Sequence, residues 1–91
     1  MRSVRTREFK RRYEALPLNI REKAQRSFEL WKANTAHPGL FFKQVDVEED
    51  MWSARVDLEY RAVCMKTSEA GATLYVWFWI GPHDEYERLF S

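Results

Sequence analysis

Arg55 and Arg61 are the residues of this chain best spaced to do chemistry. They lie in Trp52-Ser53-Ala54-Arg55-Val56-Asp57-Leu58-Glu59-Tyr60-Arg61-Ala62-Val63-Cys64, which folds about Leu58 as a β-hairpin. That fold matches Val56 with Tyr60, Ala54 with Ala62 and Trp52 with Cys64, and it sets Arg55 opposite Arg61 on the other face. Like charges directly opposed in a sheet repel, so two guanidiniums at this spacing call for an anion or for carboxylates between them. Two readings stay open: a phosphate-binding face, or neutralisation by Asp57, Glu59 or a more distant acid. Lys43 adds a further cation, and His83 and Tyr86 add groups that can carry a proton. Imidazole is the side chain whose ordinary pKa, roughly 6.5, suits proton transfer near neutrality. The set as a whole suits phosphate binding and proton transfer.

Other chemistries are excluded by what is missing. The glycines, at 39, 71 and 81, form neither a dinucleotide loop nor a P-loop. His37, His83 and Cys64 lack metal-ligand spacing, so neither a metal nor any other cofactor is expected. There is no G-x-S-x-G elbow for a serine nucleophile.

The elements that must position these residues are legible in the periodicity. Phe9, Tyr13 and Leu16 form one stripe of a helix predicted over Thr6 to Ala15, which Pro17 ends. Asn19 is expected to cap a second helix, with Glu22 in capping-box position. Ile20, Ala24, Phe28 and Trp31 carry its buried face to about Ala33. Asn34-Thr35-Ala36-His37-Pro38-Gly39 stops it. Strands are expected at Leu40 to Val45, at 52–57 and 60–66, and at Leu74 to Ile80. The last is apolar on both faces, the mark of a central strand, and Gly81-Pro82 should break it. Residues 83–90 suit a short helix. The expected fold is α+β: an N-terminal αα-hairpin on a mostly antiparallel four-stranded sheet, with a short C-terminal helix.

The 91 residues make a single domain, 1–91, with 15% aromatic residues to fill its core. The longest apolar run, Leu74 to Ile80, is far short of the roughly 20 residues a membrane helix needs. No secretion signal is evident, and the lone Cys64 lies in an apolar strand, as suits a thiol in a reducing compartment. A cytoplasmic location without membrane contact is the expectation. The net charge of +1 hides an asymmetry. Residues 1–32 hold ten Lys/Arg against four Glu, and residues 33–91 hold five against ten acids. A basic N-terminal part favours a polyanionic or acidic partner.

Three further motifs give the chain a resemblance: Phe9-x3-Tyr13-x2-Leu16-Pro17, the hairpin Trp52-Ser53-x-Arg55-Val56 with Tyr60-Arg61-Ala62-Val63, and the tail Ile80-Gly81-x-His83-Asp84-Glu85-Tyr86. In these the sequence resembles the RelE/ParE superfamily of small bacterial toxins of type II toxin–antitoxin systems. The resemblance runs over nearly the whole chain. It implies a cognate antitoxin as partner and, in the RelE-type branch, a ribosome-dependent endoribonuclease that binds and cuts messenger RNA and so inhibits translation. The ParE-type branch implies a DNA gyrase inhibitor instead, and a non-catalytic interaction module is a third reading. By position, Arg61 matches the family's phosphate-stabilising arginine, and Arg55 and Lys43 match basic substrate-binding positions. His83 takes a tail position held by Arg or His, and Tyr86 matches a tail tyrosine. Each also has a plainer role. Arg61 suits an internal ion pair, His83 a helix entry, Tyr86 a tail docked with Leu89 and Phe90, and Lys43 the solvent side of an edge strand. Tyr75, Trp77 and Trp79 are expected on one strand face, as core, antitoxin seat or base-stacking surface. The acidic turn Glu48-Glu49-Asp50 is expected near the entrance to the site.

Overall fold

The computed structural model describes residues 2–90. In chain order these form β1 (Arg2–Arg5), α1 (Arg7–Glu14), α2 (Leu18–Ala33), a 3-10 turn (Pro38–Leu40), β2 (Lys43–Asp46), β3 (Met51–Asp57), β4 (Tyr60–Glu69), β5 (Ala72–Pro82) and α3 (His83–Phe90). The sheet order is β1-β5-β4-β3-β2. All neighbours are antiparallel except β1, which runs parallel to β5 with Arg2 opposite Leu74 and Arg5 opposite Trp77. The α+β architecture is as predicted, but the sheet has five strands rather than four. Arg-Ser-Val-Arg shows no apolar alternation because β1 is a mostly exposed edge, held by backbone pairing to β5.

Thr6 starts α1 by accepting the Phe9 N–H on its hydroxyl at 3.1 Å, and Glu8 lies in the first turn where the helix dipole favours an acid. The predicted capping box at Asn19 does not form. Leu18 is already helical and Pro17 occupies the cap, its carbonyl accepting from Ile20 and Arg21 N–H at 3.0 Å each. A proline fits there because its fixed φ and missing N–H cost nothing at a helix start. The expected strand from Leu40 is delayed to Lys43, since Pro38 to Leu40 forms the 3-10 turn and Phe41 is left-handed. Gly81-Pro82 does not break the last strand, which continues to Pro82 against Tyr60.

The sheet separates two apolar layers. On one side α1 and α2 cover Ala54, Ala62, Cys64, Tyr75, Trp77 and Ile80. Trp31, 1% exposed, centres this layer, with ring centroids 4.9 Å from Tyr75, 5.1 Å from Trp77 and 5.8 Å from Phe42. On the other side α3 lays Tyr86 and Phe90 over Val63 and Trp79. Trp79 therefore does not share a face with Tyr75 and Trp77. Val63 pairs with Trp79 and Cys64 with Trp77, so the ladder slips at Phe78 and exchanges the faces of the strand residues beyond it. No helix among the described residues is long and apolar enough to cross a membrane.

Candidate functional site

The β3–β4 hairpin aligns as predicted at Arg55–Arg61, Ala54–Ala62 and Trp52–Cys64. Tyr60 pairs with Asp57, not Val56, because the register shifts between Arg55 and Asp57. The shift frees Val56 to pack with the helix-side core and leaves Leu58-Glu59 as a two-residue turn. Glu59 N–H donates to Asp57 Oδ1 at 2.8 Å, closing that turn locally.

Arg55 and Arg61 resolve their opposition by diverging. Arg61 bends over the hairpin turn, and its Nη1 donates to the carbonyls of Asp57 (2.6 Å), Tyr60 (3.0 Å) and Leu58 (3.4 Å). Arg55 leans the other way, its guanidinium carbon 3.9 Å from the centroid of the Phe41 ring. Among the described residues neither arginine forms an ion pair with the nearby acids: the Asp57 carboxylate pairs with Lys23 at 3.2 Å and acts on Arg61 only through its charge. Burial, then the Arg55 charge, holds the Arg61 guanidinium below its ordinary pKa, opposed by Tyr86, Asp57 and Glu87. Arg61 is thus a partly desolvated cation beside a second cation, and an anion placed between them relieves both penalties.

Two neighbours across the sheet extend this face. Lys43 is exposed and pairs with Ser53, diagonal to Arg55 on the same face and roughly 7–8 Å from it by sheet geometry. Gly81 pairs with Arg61. A Cβ there would stand 2.9 Å from Cζ2 and Cη2 of Trp79, so glycine is what lets the indole pass over the backbone at this position.

α3 brings the remaining candidates to the same face. His83 N–H donates to Glu59 O at 2.7 Å, tying the helix entry to the hairpin turn. The half-exposed imidazole pairs through Nε2 with Glu87 Oε1 at 2.9 Å, and its ring stacks 6.1 Å from Tyr86. Tyr86 is buried, and its hydroxyl bonds the buried Ser53 hydroxyl at 3.2 Å. The Tyr86 ring is therefore covered in this arrangement, and its reach to the open face is through its edge and field.

The acidic turn lies elsewhere. Asp50 precedes β3 while Arg55 nears its far end, roughly 16 Å away at the usual rise per residue. Asp50 Oδ1 also accepts from Trp52 Nε1 and Gln44 Nε2, both at 2.7 Å. Sequence reasoning missed Ser53, Gly81 and Phe41. Ser53 and Gly81 acquire their roles only through cross-strand neighbours, and Phe41 through a backbone conformation that no side-chain pattern reports. Among the described residues no group of three or more His, Cys, Asp or Glu forms a metal site.

No family model matches the sequence, and no curated protein matches it. Solved structures do. A YoeB/ParE toxin from Agrobacterium tumefaciens superposes with a TM-score of 0.70 at 17% identity, covering 91% of this chain and 99% of that one. The RelB-RelE antitoxin-toxin complex from Methanococcus jannaschii gives 0.68 at 12% identity, covering 97% and 99%. With its helical pair on one side of the sheet and α3 on the other, the chain has a RelE/ParE-like fold.

Proposed function

We propose that this protein is the toxin of a type II toxin–antitoxin pair and acts as a ribosome-dependent messenger-RNA endoribonuclease. The observation that carries the proposal is the sharing of one open sheet face by Arg55, Arg61, Lys43 and the His83 imidazole. In the reaction the ribose 2′-oxygen bonds to the adjacent phosphorus and the bond from phosphorus to the 5′-oxygen breaks. The 2′-hydroxyl proton passes to a base, and the leaving oxygen takes a proton from an acid. The products are a 2′,3′-cyclic phosphate and a free 5′-hydroxyl. Arg61 and Arg55 are assigned to the crowded phosphorane, where preorganised cations act most strongly, and Lys43 to the neighbouring backbone. His83 is the proton carrier, with Glu87 orienting its ring. Tyr86 positions the site from below, bracing His83 by its ring and β3 by its hydroxyl.

An acidic amphipathic antitoxin is the matching partner. The cationic face suits it, and a structural neighbour was solved as an antitoxin-toxin complex. The second reading is a gyrase inhibitor on the same fold, favoured by the near-neutral net charge and by the engagement of Arg61 with its own turn. Expression of wild type and Arg61→Ala, with primer extension on cellular messages and a supercoiling assay, separates them. The nuclease reading expects discrete cuts that fall on the order of 10²–10³-fold in the variant. Uncut messages with arrested supercoiling support the gyrase reading. Growth unaffected by wild type supports a non-catalytic module.

A further inference from the structure

We propose that Phe41 is a base-binding residue, an aromatic platform on which a nucleobase flanking the bound phosphate of single-stranded RNA stacks; this rests on the nuclease reading above. Phe41 has φ 47° and ψ 41°, the left-handed region, which a residue with a bulky side chain occupies only under strain. The turn itself does not ask for a ring: what it uses is the backbone N–H of Phe41, donated to Pro38 O at 3.3 Å. Glycine or asparagine would serve with less strain. Strain of this kind concentrates at functional sites.

What the conformation accomplishes is to separate consecutive phenylalanines. Phe42 enters the core between Trp31 and Trp52, at 5.8 and 5.1 Å. Phe41 is turned out and stays 57% exposed. The Arg55 guanidinium lies against it at 3.9 Å, and Arg55 Nε is buried with no hydrogen-bond partner among the described residues. An ordinary surface arginine hydrates its nitrogens, whereas this one is held over a ring, its charge fixed on the face shared with Arg61 and Lys43. Arginine laid on an aromatic beside further cations suits an RNA backbone, its phosphate drawn to the cations and its base to the remaining ring surface. Charge complementarity thus selects a polyanion, and the exposed ring selects one that carries aromatic bases.

The test measures kcat/KM for cleavage of a message on programmed ribosomes, with the natural base or an abasic nucleotide beside the cut. Wild type, Phe41→Asn and Phe41→Trp are compared, and Tm is recorded for each. Asparagine tolerates the left-handed conformation, so Phe41→Asn is expected to melt at or above wild type. It should lose about 5–100-fold in kcat/KM on the natural message, the range for one stacked base. The abasic message should cost wild type and Phe41→Trp a similar factor and cost Phe41→Asn nothing further. A wild-type rate in Phe41→Asn, or an equal abasic penalty in both proteins, overturns the platform while leaving the nuclease intact. A Tm several degrees lower in Phe41→Asn overturns it too, by making the ring structural. No cleavage by wild type overturns the nuclease reading and the platform with it.

Discussion

Gly81→Ala is a one-methyl change whose consequence can be worked from two distances. The added carbon would stand 2.9 Å from both Cζ2 and Cη2 of Trp79, against an ordinary carbon contact of about 3.5–4.0 Å. The indole must therefore withdraw by roughly 0.6–1 Å, and it has little room. Trp79 is 4% exposed, with Phe90 at 5.4 Å, Tyr86 at 6.4 Å and the Arg12 guanidinium at 5.6 Å. Overpacking of this kind costs about 1–3 kcal/mol, partly offset by the roughly 0.5–1 kcal/mol that alanine gains over glycine in a strand. The net loss is on the order of 1 kcal/mol, or about 4–8 °C in Tm for a domain of this size. Circular dichroism melts give the stability, and the near-ultraviolet tryptophan bands report the indole directly. The decisive comparison is the same change in a Trp79→Phe background, where both clashing carbons are gone. There Gly81→Ala should be neutral or stabilising, so its sign reverses between backgrounds. An equal loss in both, or none in wild type, would refute the steric account.

Other perturbations probe the two layers and the turn. Trp31→Ala removes the centre of the helix-side layer and should cost about 3–5 kcal/mol, enough to leave little folded protein in a melt at 37 °C. Trp31→Phe should cost clearly less, since it also removes an indole N–H that is buried without a partner among the described residues. Burial, helped by the Asp50 charge, pushes the Cys64 thiol from its ordinary 9.0 up to about 12. The unfolded thiol ionises first, so stability is complete below about 9 and declines as pH rises toward 12; Cys64→Ala should flatten that alkaline limb in urea melts. The Asp50 carboxyl is held below its ordinary value by the Trp52 indole, then by the Gln44 amide. Its contribution is present above 3.8 and lost as pH falls below it, so Asp50→Asn should blunt the acid limb of the same curve.

Where one residue type at one period decides the structure, the sequence is a sufficient guide. The stripe Phe9, Tyr13, Leu16 and the run Ile20 to Trp31 place both helices within two residues of their observed bounds. The hairpin aligns Arg55 with Arg61 because the apolar pairs Ala54–Ala62 and Trp52–Cys64 on the opposite face fix the register. Pattern reading fails wherever an extra residue is inserted into a ladder. The slip at Phe78 turns Trp79 from the helix side to α3, and the shift at Val56 moves Tyr60 opposite Asp57. Neither leaves a trace in a period of two, because each consists of one residue breaking it. β1 escapes for another reason, as a polar edge strand whose partner is distant in sequence.

The same irregularities that defeat the pattern assemble the candidate site. Without the slip at Phe78, Trp79 would face α1 and α2, leaving Tyr86 and Phe90 without the indole they now pack against. α3 would then lose much of its hold, and His83 with it. With Trp79 turned toward α3, the glycine at 81 makes room for the indole, and the strand runs on to Pro82 to deliver His83 N–H to Glu59 O. The hairpin turn that receives this bond is also the turn whose carbonyls hold Arg61 Nη1. The guanidinium and the imidazole are thus referenced to one short piece of backbone, residues 57–60, although they come from different elements. A change in that turn should move both groups together, whereas Glu87→Gln should free the imidazole from its partner and reach the arginine only through the lost charge, leaving its hydrogen bonds to the turn in place. Within the proposed chemistry that distinction separates loss of phosphate binding from loss of proton transfer.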